Sequence, residues 1–168
     1  TYHARQIIIA NGNRPSIPAI PGVKDVTYFT NETLFKNRGK PEHLVISGGG
    51  PIGMEMAQAH RRLGCKVTVL QASKVLAKDD PELVSVLIAA LQAEGVDIRQ
   101  SVQITKITLV KKRISVSLST GEIISGSHLL VAAGRMPNIQ GLNLEAGGVE
   151  HDKNGITVDQ GLRSISHR

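Results

Sequence analysis

The sequence predicts an α/β protein built on a parallel sheet, and three observations carry that reading. Two short aliphatic runs, Leu44-Val45-Ile46 and Val67-Thr68-Val69-Leu70, bracket an amphipathic stretch, which is the layout of a strand–helix–strand unit. The first run leads straight into Gly48-Gly49-Gly50-Pro51-Ile52-Gly53. A Gly-x-Gly-x-x-Gly turn in that position is where such a unit cradles a dinucleotide. After Val102 the pattern changes to strict alternation, with Ile114, Val116 and Leu118 set against Ser115, Ser117 and Ser119. That is the period of a half-exposed antiparallel strand. Together these features predict a Rossmann-like, three-layer domain over about residues 24–135. Parallel strands are expected near 44–47, 67–70, 97–100 and 128–132, with an antiparallel β-ribbon between about 102 and 126.

Taken in order, residues 4–10 (Ala-Arg-Gln-Ile-Ile-Ile-Ala) read as a buried strand. A connector with Pro15, Pro18 and Pro21 follows, each barring regular pairing, and Pro21-Gly22 marks a turn. Thr30 to Phe35 reads as a capped short helix, stopped before the first parallel strand by Lys40-Pro41. In the helix after the glycine turn, Ile52, Met56, Ala59 and Leu63 recur at helical spacing as the stripe expected to face the sheet, and Gly64 ends the helix. Cys65 reads as a small buried hydrophobe. Asp80-Pro81-Glu82 supplies an N-cap, a proline at the first helical position and an acid in the first turn. Leu83, Val84, Leu87, Ile88 and Leu91 are the expected buried face of this second helix, and Gly95 its C-cap.

A short strand is expected around Val96 to Arg99. In the ribbon, Val102 and Ile104 share one phase and Ile107 and Leu109 the other, which predicts a β-bulge near Thr105-Lys106. Lys111-Lys112-Arg113 lies between two strand-like stretches and reads as a solvated hairpin turn rather than a phosphate patch. Thr120-Gly121 makes the next turn, and Leu129-Leu130-Val131-Ala132 one more fully buried strand. Residues 136–168 hold turn signals and a single strand candidate, Ile156-Thr157-Val158, too little for a self-sufficient domain.

Composition narrows the function. Aromatic residues are 2% of the chain and Trp is absent, so the core is aliphatic and the stacking platforms of single-stranded nucleic-acid binding are missing. The formal charge of +6 is scattered and suits an anionic small ligand. A lone cysteine excludes an internal disulfide and fits a reducing, cytoplasmic setting. No apolar run approaches the ~20 residues of a membrane span. His3, His43, His60, His128, His151 and His167 show no metal-ligand spacing and read as surface residues.

Each position of the turn has its own physical task. Gly48 permits the tight turn off the strand, Gly50 leaves room for a pyrophosphate and Gly53 allows close helix–strand packing. Unpaired N–H groups at the helix start, with Pro51 and Ile52 as its first residues, favour an anion. Glu55 is placed in the first turn, where an acid is favoured by the helix dipole. Gln71 falls about twenty positions beyond Gly48, where an acid ordinarily bonds the ribose hydroxyls of NAD. As an amide, with Lys74 nearby, it leaves the choice between NAD and NADP open.

Three stretches resemble the FAD-dependent pyridine nucleotide–disulfide oxidoreductases. Ala10-Asn11-Gly12-Asn13-Arg14-Pro15 followed by Ile20-Pro21-Gly22 is similar to the family's Ala-Thr-Gly-Ser-Arg-Pro segment, with Asn11 and Asn13 as departures. Val45 to Ala57 resembles its nicotinamide-nucleotide fingerprint, and Ala133-Gly134-Arg135-Met136-Pro137-Asn138 its Gly-Arg-x-Pro-Asn crossover. The resemblance implies that residues 1–23 and 136–168 are pieces of an interrupted FAD domain flanking a 24–135 NAD(P)-binding domain. It implies NAD(P)H as the ligand of this chain and FAD as a cofactor of a longer parent with a homodimer partner. The family's redox cysteine pair and flavin fingerprint do not occur in these residues, so no catalytic residue is expected here.

The resemblance also places Glu55 at the nicotinamide end, and Pro51 where some members carry an aromatic lid. Gly134 and Arg135 would approach the nucleotide from the far side of the sheet, the alternative for Arg135 being a salt bridge tying the crossover together. Ala10, Asn11 and Gly12 would approach the flavin. A non-catalytic nucleotide-binding or redox-sensing module is the competing function; a preceding flavin fingerprint and Cys pair would separate the two.

Overall fold

In the computed structural model, which describes residues 4–166, the strands run β1 (Asn13–Pro15), β2 (His43–Ser47), β3 (Lys66–Leu70), β4 (Asp97–Arg99), β5 (Ile104–Val110), β6 (Arg113–Leu118), β7 (Ile123–Gly126), β8 (His128–Val131), β9 (Arg135–Pro137), β10 (His151–Asp152) and β11 (Gly155–Ile156). The two α-helices are α1 (Pro51–Arg62) and α2 (Pro81–Ala93). The chain separates into two compact units, Pro15–Gly134 and the flanking residues on either side of it.

Within Pro15–Gly134, a parallel sheet of order β4-β3-β2-β8 forms the middle layer. The pleat explains the layers on either side of it. Alternate side chains of a strand point to opposite faces. Leu44, Ile46, Val67, Val69 and Leu130 go to one face, where they meet Met54 and Ala57 of α1 and Leu91 of α2. Val45, Leu70, Leu129 and Val131 go to the other and pack against Ile107, Ile114, Val116, Leu118 and Ile124 of the antiparallel ribbon β5-β6-β7. All five residues of β2 are buried. Full burial of each aliphatic side chain contributes about 1.5–3 kcal/mol, so the central strand has no solvated face to carry a polar alternation.

The expected parallel strands, ribbon and bulge are present. The register of β5 on β6 shifts between Ile104 and Lys106, as the change of phase predicts. Lys111 and Lys112 form the two-residue hairpin turn with φ of 47° and 65°, between the paired Val110 and Arg113. Both turn residues of that hairpin type need positive φ, a geometry that costs a non-glycine residue about 1–2 kcal/mol. Cys65 is fully buried. Asp80 caps α2 through its side-chain oxygen, which accepts the Glu82 N–H at 2.9 Å.

Five expectations need correction. Residues 4–10 form no strand and are exposed throughout, with Ile8 at 90%; no described strand pairs with them, so their β-branched run has nothing to pack on. The predicted stripe of α1 is rotated, because Gly53, Met54 and Ala57 are buried while Leu63 is exposed. At Gly53 the approach is so close that a Cβ would fall 2.0 Å from the Gly48 carbonyl oxygen, which turns this side of the helix, with Met54 and Ala57, inward. In α2 Leu83 is exposed and only Leu91 is fully buried; the helix is apolar around much of its girth, and one side only meets the sheet. Thr30 to Phe35 makes turns and a 3₁₀ segment, Leu34–Lys36, in place of an α-helix. Here Thr30 Oγ1 and Thr33 Oγ1 accept nearby backbone N–H groups, an alternative to helical bonding.

The fifth concerns the histidines. His43 is buried at the start of β2, its Nδ1 2.9 Å from the Ser125 carbonyl of β7 and its Nε2 2.9 Å from Thr68 Oγ1 of β3. His60, His128 and His151 are half-buried, and His128 stacks on Phe29. A half-polar ring is retained inside because hydrogen-bonding partners satisfy it. His3 and His167 lie outside the described residues.

In the flanking unit, β1 pairs with β9 and β10 with β11. Of the strand candidate at 156–158, Ile156 ends β11 and Val158 makes one isolated bridge to Ser164. No helix among the described residues is long and apolar enough to cross a membrane.

Candidate functional site

In an open α/β sheet the ligand crevice lies beyond the carboxyl ends of the strands, where the chain order reverses. Here α1 carries the chain from β2 to β3 on one side, while β8 pairs on β2's other side. The reversal therefore falls between β2 and β8, and the glycine turn starts there.

The turn is held by contacts that only glycine allows. Gly48 has φ of 118° and donates its N–H to the Leu70 carbonyl at 2.9 Å. A Cβ at Gly48 would lie 2.3 Å from the Ala132 carbonyl oxygen, so the turn presses against the residue that follows β8. Gly53 presses against Gly48 in the same way. Gly50 differs from both. Its φ of −80° is open to any residue, and a Cβ there would meet no heavy atom within 4 Å. Space, not conformation, is what Gly50 preserves.

Beside it opens a cavity of about 480 Å³, lined by Gly48, Gly50, Gln71, Val102, Ile104 and Gly134 among others. The volume lies within the range of small-molecule and cofactor sites, about 300–1,000 Å³. The N–H groups of Ile52 and Gly53 lie in the first turn of α1, where no helical carbonyl reaches them, and Pro51 has none to satisfy. The cradle therefore offers donors and no carboxylate.

Other predicted positions fall at varying places. Gln71 reaches back to the turn, with Oε1 accepting the Gly49 N–H at 2.7 Å and Nε2 donating to Ser73 Oγ at 2.8 Å. Lys74 is exposed. Glu55 is also exposed but sits beyond the first turn of α1, which carries no acid because the helix begins at Pro51. In the flanking unit, Arg135 Nη2 donates to the Asn13 carbonyl at 3.1 Å, a tie made to a backbone oxygen. The carbonyls of Asn11 and Gly12 accept from Asn138 at 3.2 and 3.1 Å, and Ala10 is exposed. Sequence reasoning missed Gly49, whose Cβ would stand 2.7 Å from Val75 Cγ2; the run of three consecutive glycines was the available signal. It also missed the cavity wall from Pro18, Ile20 and Val102 to Ile104, which no local pattern marks. No group of three or more potential metal ligands occurs among the described residues.

The sequence profile of the pyridine nucleotide-disulphide oxidoreductases matches residues 1–167. The chain belongs to that family. It is 36% identical to a mercuric reductase of Acidithiobacillus ferrooxidans over 160 residues, covering 95% of this chain and 29% of the relative. With a mercuric reductase of Streptomyces lividans it shares 34% identity over 173 residues, 100% of this chain and 36% of the relative. Among solved structures, the HOCl-induced flavoprotein disulfide reductase RclA of Escherichia coli superposes with a TM-score of 0.86 at 28% identity, covering 92% of this chain and 36% of that one. LpdA of Mycobacterium tuberculosis does so with a TM-score of 0.82 at 28% identity, covering 93% and 34%. The chain thus spans about a third of the length of these relatives.

Pyridine nucleotide-disulphide oxidoreductases use NAD(P)H and FAD. The residues present fit the first of these, since a pyrophosphate needs the open face of Gly50 and the unpaired N–H groups beside it. One Gly-x-Gly-x-x-Gly turn occurs in the 168 residues.

Proposed function

We propose that this chain is the NAD(P)H-binding portion of a flavin-dependent oxidoreductase of the disulfide reductase type, and that it positions the nicotinamide for hydride transfer to FAD in the whole protein. The empty volume over Gly50, at the reversal between β2 and β8, carries this reading. Bound nucleotide supplies the hydride; the residues of this chain bind and orient. Gly48, Gly50, Pro51, Ile52 and Gly53 hold the pyrophosphate, and Gly134 walls the cavity. Gln71 and Lys74 lie toward the adenine ribose, and Glu55 is assigned to the nicotinamide end.

In the same proposal, residues 1–23 with Ala10, Asn11 and Gly12, and residues 136–168 behind Arg135, are pieces of the flavin domain of a cytoplasmic homodimer. The test is Gly50→Val. A Cβ there meets no heavy atom within 4 Å, so the fold and melting temperature should be retained while NADH and NADPH binding, followed by calorimetric titration, is lost. Unchanged affinity in that variant sinks the placement.

A further inference from the structure

We propose that Gln71 is the positioning residue of the glycine turn, acting through the Gly49 peptide, and is not the group that reads the ribose of the bound nucleotide. The proposal rests on the nucleotide reading above and deepens it at one residue. Each polar atom of the side chain already holds one protein partner, which fixes the orientation of the carboxamide. Oε1 accepts the Gly49 N–H at 2.7 Å, and Nε2 donates to Ser73 Oγ at 2.8 Å. The backbone is committed as well, for its N–H donates to the Arg99 carbonyl at 2.9 Å and its carbonyl accepts the Val102 N–H at 3.1 Å. Gln71 therefore ties the end of β3 to β4, to the start of the ribbon and to the turn.

Gly49 is held from its other side too, because its carbonyl accepts the Leu76 N–H at 3.0 Å. The residue that precedes the open face of Gly50 is thus fixed at both its N–H and its carbonyl. Swinging the carboxamide out to a ribose would strand the Gly49 N–H, a loss comparable to any bond gained. Glutamine rather than an acid has an electrostatic consequence at this position. The amide holds the N–H without placing a negative charge 2.7 Å from the edge of a cradle for an anion. The turn keeps its full attraction for a pyrophosphate, and the 2′ position is left with no dedicated reader.

A clamp and a reader differ in what their loss does. Loss of a clamp weakens every nucleotide alike, whereas loss of a reader changes the ratio between them. The experiment titrates the 168-residue chain, Gln71→Leu and Gln71→Glu with NAD⁺ and NADP⁺ at two salt concentrations, and follows the Gly49 amide by ¹⁵N–¹H NMR. The unmodified chain is expected to bind the two nucleotides within about tenfold. Gln71→Leu should shift the Gly49 amide resonance to that of an unbonded group and weaken both nucleotides by about tenfold, with their ratio changed less than about threefold. Gln71→Glu should rescue the Gly49 amide signature and weaken both nucleotides together, less so at high salt.

The proposal is overturned if Gln71→Glu strengthens NAD⁺ while weakening NADP⁺, or if the Gly49 amide is unmoved in Gln71→Leu. If the amide responds as expected but neither nucleotide binds the unmodified chain, the clamp stands and the nucleotide reading falls.

Discussion

Glycines that look alike in the sequence do opposite things in the turn. Gly50 keeps space for a ligand, while Gly53 keeps space for the protein itself, since its missing Cβ is replaced by the Gly48 carbonyl oxygen 2.0 Å away. The two substitutions should therefore separate binding from folding. Gly53→Ala forces a backbone clash that only a shift of α1 relieves, an overpacking cost of about 1–3 kcal/mol. A fall in melting temperature is expected there and none in Gly50→Val, as thermal unfolding of both proteins would show; equal stability of the two would mean that α1 gives way freely. The spacing of the glycines was legible because it obeys a rule of backbone geometry. The engagement of Gln71 was not, because it depends on where the second glycine of a consecutive run points its N–H, and no sequence pattern records that.

Elements were legible where a period is long enough to count, and less so where packing chooses among equals. The ribbon and its bulge followed from alternation over a dozen residues. The buried side of α1 did not follow, because hydrophobic spacing nominates Ile52, Met56, Ala59 and Leu63, whereas the close approach of Gly53 to the turn brings Met54 and Ala57 inward. The amino end of β2 escaped notice for a related reason: a histidine reads as polar until its partners are known. His43 joins three strands, since Nδ1 donates to the Ser125 carbonyl of β7 and Nε2 accepts from the Thr68 hydroxyl of β3. That hydroxyl has one proton, and Asp97 Oδ2 stands 3.2 Å away to take it whenever the ring no longer can.

Burial holds the His43 imidazole below its ordinary value, the charges of Lys66 and Arg113 add to that, and the Ser125 carbonyl and Asp97 work against it. The unfolded chain then takes up a proton near pH 6.5 that the folded chain does not. The contribution is present above that pH and is lost as pH falls from there toward the depressed native value. Urea midpoints should drop between about pH 7 and 5, and His43→Gln should flatten that slope. Some slope should survive, because burial depresses His128 in the same direction. Glu42 and Glu94, held down by Arg113 and Arg62, lose their contributions only as pH falls below the ordinary carboxylate value of 4.5, outside this window. An unaltered slope in His43→Gln would locate the acid sensitivity elsewhere.

At the scale of the whole molecule, the two units differ in where their packed clusters lie, although each leaves large apolar side chains in solvent, Phe35, Leu63 and Leu83 among them in Pro15–Gly134. Pro15–Gly134 contains every residue of the two clusters that line its sheet. The flanking residues leave Ile7 82% and Ile8 90% exposed, with Leu162 at 82%. Each such side chain would contribute about 1.5–3 kcal/mol on burial. The sequence announced the sheet-bearing unit through its periods and could not announce the exposure of residues 4–10, since Ile7-Ile8-Ile9 has the composition of a buried strand whatever becomes of it.

Two behaviours of the 168-residue chain follow from that difference and from what it contains. Sedimentation should show association that grows with concentration and that Ile7→Ser with Ile8→Ser reduces, because the double change removes apolar surface from the flank and leaves Pro15–Gly134 untouched. The purified chain should also be colourless and should not oxidise NADH or NADPH in the presence of dyes or disulfides. It has one cysteine, buried at position 65, and the proposal gives its single Gly-x-Gly-x-x-Gly turn to the pyridine nucleotide, which leaves no second turn of that pattern for a flavin. A stoichiometric flavin absorbance, or turnover by this chain alone, would show that the flanking residues form a flavin site by themselves.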